Sequence, residues 1–248
     1  MLLRHARNAA LIVCFIGGCA GLQARHPPGG ASARAIHLQR VERALQRAAA
    51  GRMIEVRQAD LDRDGTVETV AITCRTRKDG HPIGGEIVVL QSSKGSLRPV
   101  WRQKRLNPWK LEIGDVDGDR RQEIVAGVWK KSPKDPVMAK RTFVYSWNGK
   151  RMLPKWLGSR LSRRFEDFVL ADINGDRWDE LLALEVAPKG RRRVAAYRWR
   201  SFGFEWLGCS SERLGLVGLS STEGSATVAA GNKRLKVKYL GGRIVLAG

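Results

Sequence analysis

Three short stretches hold most of the side chains that could do chemistry. Residues 60–68 read DLDRDGTVE, residues 115–123 read DVDGDRRQE, and residues 172–180 read DINGDRWDE. Counted from the first Asp, each puts an oxygen-bearing side chain at offsets 0, 2, 4 and 8. These are Asp60, Asp62, Asp64 and Glu68, then Asp115, Asp117, Asp119 and Glu123, then Asp172, Asn174, Asp176 and Glu180. The copies start 55 and 57 residues apart, a recurrence that marks a repeat architecture. Carboxylates this dense repel one another unless a cation neutralises them. Hard cations such as Ca²⁺ take six to eight oxygens, which alternating Asp residues in a tight loop can supply. The alternative is Asx-turn chemistry with Arg63, Arg120, Arg121 and Arg177 as counter-charges. An EF-hand is excluded, because it needs a Glu at position 12, where Ala71, Ala126 and Ala183 stand.

The elements that must position these loops are strands. Runs such as VETVAITC, GGEIVVLQ, EIVAGVW, RTFVYSW, ELLALEV and RRVAAYRW are rich in β-branched and aromatic residues and bounded by turn residues, a strand signature. Four such runs fall in each repeat, as in propeller blades. The expected fold is all-β, a small propeller of about four four-stranded antiparallel blades over 52–248. Only three strands remain at the C-terminus, so the strand at 53–58 is expected to complete the last blade, with an open curved array as the alternative. The fourth unit lacks an acidic loop. Trp101, Trp156 and Trp206 recur at similar spacing and are expected to pack between blades.

The arrangement resembles the FG-GAP or VCBS repeats of integrin-α-like β-propellers, over roughly residues 52–220. That resemblance implies that the twelve side chains above ligate up to three Ca²⁺ ions, with carbonyls of Thr66, Arg121 and Trp178 as added ligands. The chain departs from the pattern in two respects. Only one Phe-Gly pair, Phe202–Gly203, is suitably placed, and Gly stands at offset 3 in two loops (Gly118, Gly175) but at offset 5 in the first (Gly65).

The N-terminus, MLLRHARNAALIVCFIGGCAGLQ, has a basic start, a short apolar core and small residues, the pattern of an export signal. The stretch IGGC resembles a bacterial lipobox with Cys19 as the lipidated residue; cleavage of an ordinary signal nearby is the alternative. The expected organisation is a lipoprotein signal over 1–18, a Pro/Gly-rich tether over 19–35, a short amphipathic helix over 36–51, and then the propeller. The expected location is extracytoplasmic, on a bacterial membrane. Cys74 and Cys209, the remaining cysteines, lie in apolar runs and are expected to be buried thiols.

With 45 Lys and Arg against 24 Asp and Glu, the net charge is +21, which favours polyanionic partners. Anionic envelope polymers or a protein ligand fit export better than nucleic acid does. Arg163, Arg164, Arg191, Arg192 and Arg193 are the candidate contacts. The sequence has no Gly-rich phosphate loop, G-x-S-x-G or H-E-x-x-H. The leading expectation is therefore a non-catalytic, calcium-stabilised binding module. The rival is an exported hydrolase or lyase acting on polysaccharide from the central channel, with Glu112, Glu166, Asp167 and Glu185 as its available acids.

Overall fold

The computed structural model describes residues 31–248 apart from 133–134, 159–160 and 223. Residues 1–30, with Cys19 and the export signal, lie outside the described residues. Among the described residues one α-helix, α1 (Ala31–Arg47), precedes sixteen strands; it begins inside the stretch expected as tether.

The strands form four four-stranded antiparallel sheets in chain order. The first is β1 (Met53–Ala59), β2 (Glu68–Thr76), β3 (Pro82–Ser93) and β4 (Ser96–Lys104). The second is β5 (Pro108–Gly114), β6 (Glu123–Ser132), β7 (Asp135–Trp147) and β8 (Met152–Leu157). The third is β9 (Phe165–Ala171), β10 (Glu180–Val186), β11 (Arg192–Arg200) and β12 (Gly203–Cys209). The fourth is β13 (Leu216–Thr222), β14 (Ser225–Ala230), β15 (Lys233–Leu240) and β16 (Arg243–Ala247). The expected all-β architecture of four blade-like sheets is what the chain forms.

One expectation is corrected. The strand at 53–58 does not complete the last sheet. It is β1, paired with β2 from Met53↔Thr73 to Ala59↔Glu68, while the fourth sheet fills its own complement with β13. Each acidic loop thus joins the first and second strands of one sheet, and every sheet starts one strand earlier than the sequence pattern suggested.

Alternate side chains of each sheet feed different cores. Val70, Ile72, Ile87 and Val89 of the first sheet pack on Leu111, Ile124 and Ala126 of the second. Val125 and Val144 of the second pack with Phe168 and Leu181 of the third. Val169, Leu182 and Val194 of the third meet Leu219, Val228 and Val237 of the fourth. The remaining face of the first sheet, with Val56, Ala71, Val88 and Leu90, is covered by Val41, Ala44 and Leu45 of α1. Arg40 and Arg47 of the helix donate to the carbonyls of Gly95 and Leu97 at 2.8 and 3.3 Å. None of these four clusters joins the fourth sheet to the first.

First strands of successive sheets lie side by side and are joined by half-buried charges. Glu55 on β1 accepts from the Leu111 amide at 2.8 Å and pairs with Arg57 at 2.6 Å. Lys110 on β5 donates to Asp167 on β9 at 2.6 Å, and Asp167 accepts from the Leu219 amide on β13 at 2.6 Å. Glu112 lies within this ladder, 3.7 Å from Arg57 and 3.8 Å from Lys110. Burial pushes its carboxyl up to about 7, against the pull of Arg57 and Lys110.

Trp101 and Trp156 pack into the inter-sheet cores as expected, opposite Val89 and Val144. Trp206 does not share their position: it stands opposite Tyr197, the register held by Pro99 and Pro154 in the other sheets. It is 41% exposed. Both cysteines are free, Cys74 buried and Cys209 only half-buried.

Candidate metal centre

The three acidic loops share one backbone. Offsets 3 and 5 are both left-handed in every copy: Arg63 and Gly65, Gly118 and Arg120, Gly175 and Arg177, with φ between 62° and 86°. The shifted glycine of the first loop is therefore no change in shape, because each loop fills two left-handed positions with one Gly and one Arg. Glycine carries no penalty there.

The hydrogen bonds recur as well. The offset-5 amide donates to the leading Asp in all three, Gly65 to Asp60 at 3.0 Å, Arg120 to Asp115 at 2.8 Å and Arg177 to Asp172 at 2.9 Å. The offset-6 amide donates to the carboxylate at offset 4, as from Thr66 to Asp64 at 2.7 Å, Arg121 to Asp119 at 2.7 Å and Trp178 to Asp176 at 2.9 Å. The closing Glu is buried and accepts from the amide at offset 1. Leu61, Val116 and Ile173 donate to Glu68, Glu123 and Glu180 at 3.1, 3.2 and 3.1 Å. All three closing carboxyls are raised chiefly by burial, Glu123 to about 7 and Glu180 to about 8.

The loops differ in what neutralises them. In the second, Lys155 of β8 donates to Asp117 through a short hydrogen bond and to Glu123 at 2.9 Å. In the third, Arg198 of β11 pairs with Asp176 at 2.5 Å, and the Asn174 amide donates to Glu180 at 2.7 Å. In the first, the group at the register of Arg198 is Gln91, which is neutral and donates to Glu68 at 3.0 Å. Gln91 and Arg198 are cross-strand equivalents, since Thr69 faces Leu90 and Leu181 faces Tyr197 one residue on. The second and third loops are supplied with a cationic side chain, whereas the first has a neutral amide.

The first loop also leaves oxygens unanswered. Asp60 Oδ1 and Asp62 Oδ1 are buried and lack a hydrogen-bond partner. The counterparts of Asp60 Oδ1, Asp115 Oδ1 and Asp172 Oδ1, accept from the Gly118 and Gly175 amides at 2.7 Å, and those of Asp62 Oδ1, Asp117 Oδ1 and Asn174 Oδ1, accept from the Asp119 and Asp176 amides at 3.4 and 2.9 Å. Asp60, Asp62 and Glu68 bring ligand atoms within 4.8 Å of one another, as do Asp115, Asp117 and Glu123. A buried charged oxygen without a partner costs more than an ordinary missing hydrogen bond, and a divalent cation would remove that cost. The donor set is all oxygen, as Ca²⁺ or Mg²⁺ requires. Asp64 belongs to the same loop and is an additional carboxylate for such an ion.

The arginines singled out for anionic partners are mostly engaged. Arg163 pairs with Glu212 at 2.8 Å, Arg192 with Glu166 at 2.5 Å and Arg193 with Glu185 at 2.8 Å. Arg193 also lies over the Trp206 ring at 5.0 Å. Arg164 and Arg191 are exposed. Arg163 and Arg164 line a groove of about 530 Å³ together with Lys140, Phe165 and the stacked pair His81–Trp129. Of the proposed acids, Glu185 is buried against Arg193 and Ser162, and Asp167 belongs to the inter-sheet ladder. Sequence reasoning missed Lys155, Gln91 and Arg198; alignment of third strands on the closing Glu would have shown the last two. No protein-family model matches the sequence, and no curated protein matches it.

Proposed function

We propose that the chain is a non-catalytic binding module of the FG-GAP/VCBS type, exported and held on a bacterial membrane by lipid on Cys19. Its blade-like sheets are stabilised by a divalent cation, best Ca²⁺, in the first acidic loop. The observation that supports this most directly is the pair of buried, unpartnered oxygens on Asp60 and Asp62 beside Glu68. Asp60, Asp62, Asp64 and Glu68 would hold the ion, which would supply positive charge where Lys155 and Arg198 supply it in the other loops. Twelve loop positions, one of them Asn174, take up eleven of the 24 acidic residues. The rest of the surface is accordingly more basic than the total implies, which supports an anionic partner such as an envelope polymer.

The test has two arms. Calcium titrated into the chelator-treated full chain should bind with a stoichiometry near one and raise the melting temperature. Absence of both heat and thermal shift would remove the metal. Cys19→Ser should move the protein from the membrane to the soluble extracytoplasmic fraction; unchanged membrane retention would remove the anchor.

A further inference from the structure

The fourth sheet differs from the other three on its outer face. Its inner face is core: Leu216, Leu219, Ala226, Val228, Val237, Ile244 and Leu246 are buried. Strand side chains alternate between faces, so Arg234, Lys236 and Lys238 of β15 project together on the opposite side, and all three are exposed. Arg243, opposite Leu240 on β16, continues the line. Consecutive positions on one face of a strand are about 7 Å apart, so four cations span about 20 Å. Beside them, Thr227 faces Lys236 and Ser220 faces Thr227. The Ser220 hydroxyl lies 2.9 Å from that of Thr227 and accepts from Arg234 at 2.5 Å.

Each of the other sheets pairs some of its cations with carboxylates, as Arg102 with Glu86, Lys155 with Glu123 and Arg193 with Glu185, and among the described residues the fourth has no such pair. From Arg213 to the C-terminus the sequence has six Lys and Arg but one acidic residue, Glu223. Among the described residues, Lys236, Lys238 and Arg243 have no ion-pair partner. The first sheet's corresponding free face is covered by α1; among the described residues, no element covers this one.

We propose that the outer face of the fourth sheet docks a linear phosphodiester polyanion, its charges following the row Arg234, Lys236, Lys238 and Arg243. Three observations select this occupant. The cations form a line, not a ring around a pocket, so they match charge repeated along a chain. Hydroxyls flanking the line offer further donors to phosphate oxygens. No aromatic side chain lies on this face for bases to stack on, as single-stranded nucleic acid binders use. Its exposed apolar residues, Val217, Leu240 and Val245, are aliphatic and scattered, too few to enter a bilayer. The proposal rests on reading the chain as a binding module, but it is independent of the cation in the first loop.

The probe is poly(glycerol phosphate), titrated into the full chain in calcium buffer, with phosphatidylglycerol vesicles presenting the same headgroup as a bilayer. Four phosphate contacts give a log–log salt slope near about −3, taking about 0.7 per contact on a flexible strand, so raising salt from 50 to 200 mM should weaken binding about 50-fold. Lys236→Gln with Lys238→Gln should halve that slope and leave the melting temperature unchanged, because both side chains are exposed. Arg164→Gln with Arg191→Gln, both exposed, should leave the slope as it is. The proposal is overturned if the polymer does not bind at 50 mM salt, if the Lys pair can be replaced without effect, or if vesicles bind at least as tightly and lose that binding in the same variant. A calcium-dependent melting shift with no polymer binding would refute this docking face while sparing the metal; polymer binding without the shift would do the reverse.

Discussion

Lys155→Met is the sharpest test of how the loops are neutralised. The wild-type ammonium holds Asp117 and Glu123, whose side chains are 20% and 1% exposed, and is itself 20% exposed. Removing one partner of a buried ion pair costs about 3–5 kcal/mol; partial exposure of Lys155 and Asp117 brings the expectation to the low end, about 3 kcal/mol. Met keeps the stem volume and a favourable contact with Trp199, whose ring lies 5.7 Å from the ammonium. For a domain of this size 1 kcal/mol is about 2–4 °C, so the variant in chelator should melt roughly 6–12 °C below wild type. Its second loop would then match the first, with clustered carboxylates and no side-chain cation. It should acquire a calcium site, and at a calcium concentration 100 times its Kd recover about 2.7 kcal/mol by mass action. Titration calorimetry should count two ions, one more than proposed for the wild type, and differential scanning calorimetry should show the larger calcium-dependent shift in the variant. Three ions in the wild type would show that Lys155 and Arg198 are displaced by metal. A variant as stable as wild type in chelator, with still one ion bound, would show that Lys155 does not substitute for a cation.

Two further perturbations probe the frame around the loops. Glu112 titrates near 7 in the folded chain against an ordinary 4.5, so folding favours its protonated form and that contribution to stability is lost as pH rises from 4.5 through 7; Glu112→Gln should therefore gain about 3 kcal/mol on wild type between pH 4.5 and pH 8 in urea unfolding with calcium held constant, and a pH-independent difference would refute the assignment. Gly118→Ala and Gly175→Ala both place a side chain at φ near +80°, but only the former sets a Cβ 2.0 Å from the Trp178 ring; the Gly175 variant should lose about 1–2 kcal/mol and the Gly118 variant clearly more, and equal losses by urea titration would mean that the second and third loops do not brace one another.

Much of the site was legible because it is local. The spacing of Asp60, Asp62, Asp64 and Glu68, and its two repeats, lies in nine-residue windows, and a strand on each side follows from β-branched runs. What was not legible depends on register across strands. Lys155 reaches Glu123 from a strand 32 residues further on, and nothing in its own neighbourhood marks it as a counter-ion. Gln91 and Arg198 look like unrelated residues until each is paired with the closing Glu of its loop. The arginines at 191–193 read as a free basic cluster for the same reason, since the carboxylates of Glu166 and Glu185 that pair with two of them lie on other strands.

The misplaced boundary of the sheets has a physical cause in the repeat itself. A periodic sequence fixes the length of a unit but not where the unit begins, because every strand has a neighbour on both sides at the same spacing. Starting the count at the acidic loop made Met53–Ala59 a leftover, and a leftover strand with a three-stranded last sheet suggests closure by the N-terminus. Hydrogen bonding decides otherwise, since the tight loop of eight residues between Ala59 and Glu68 returns β2 antiparallel beside β1 at little entropic cost, whereas pairing β1 with β16 would close a loop of nearly the whole domain. The acidic loop is thus a device within a sheet, joining its first two strands, while the half-buried charges of Glu55, Lys110 and Asp167 link one sheet to the next. Metal binding and sheet-to-sheet assembly are consequently separable. Loss of the ion proposed for the first loop should loosen the β1–β2 connection without releasing the first sheet from the second, and the fourth sheet, with no acidic loop, is held on its inner side by its core and the Asp167–Leu219 hydrogen bond. That leaves its outer face free to carry a row of uncompensated cations, which a face packed between two sheets could not do.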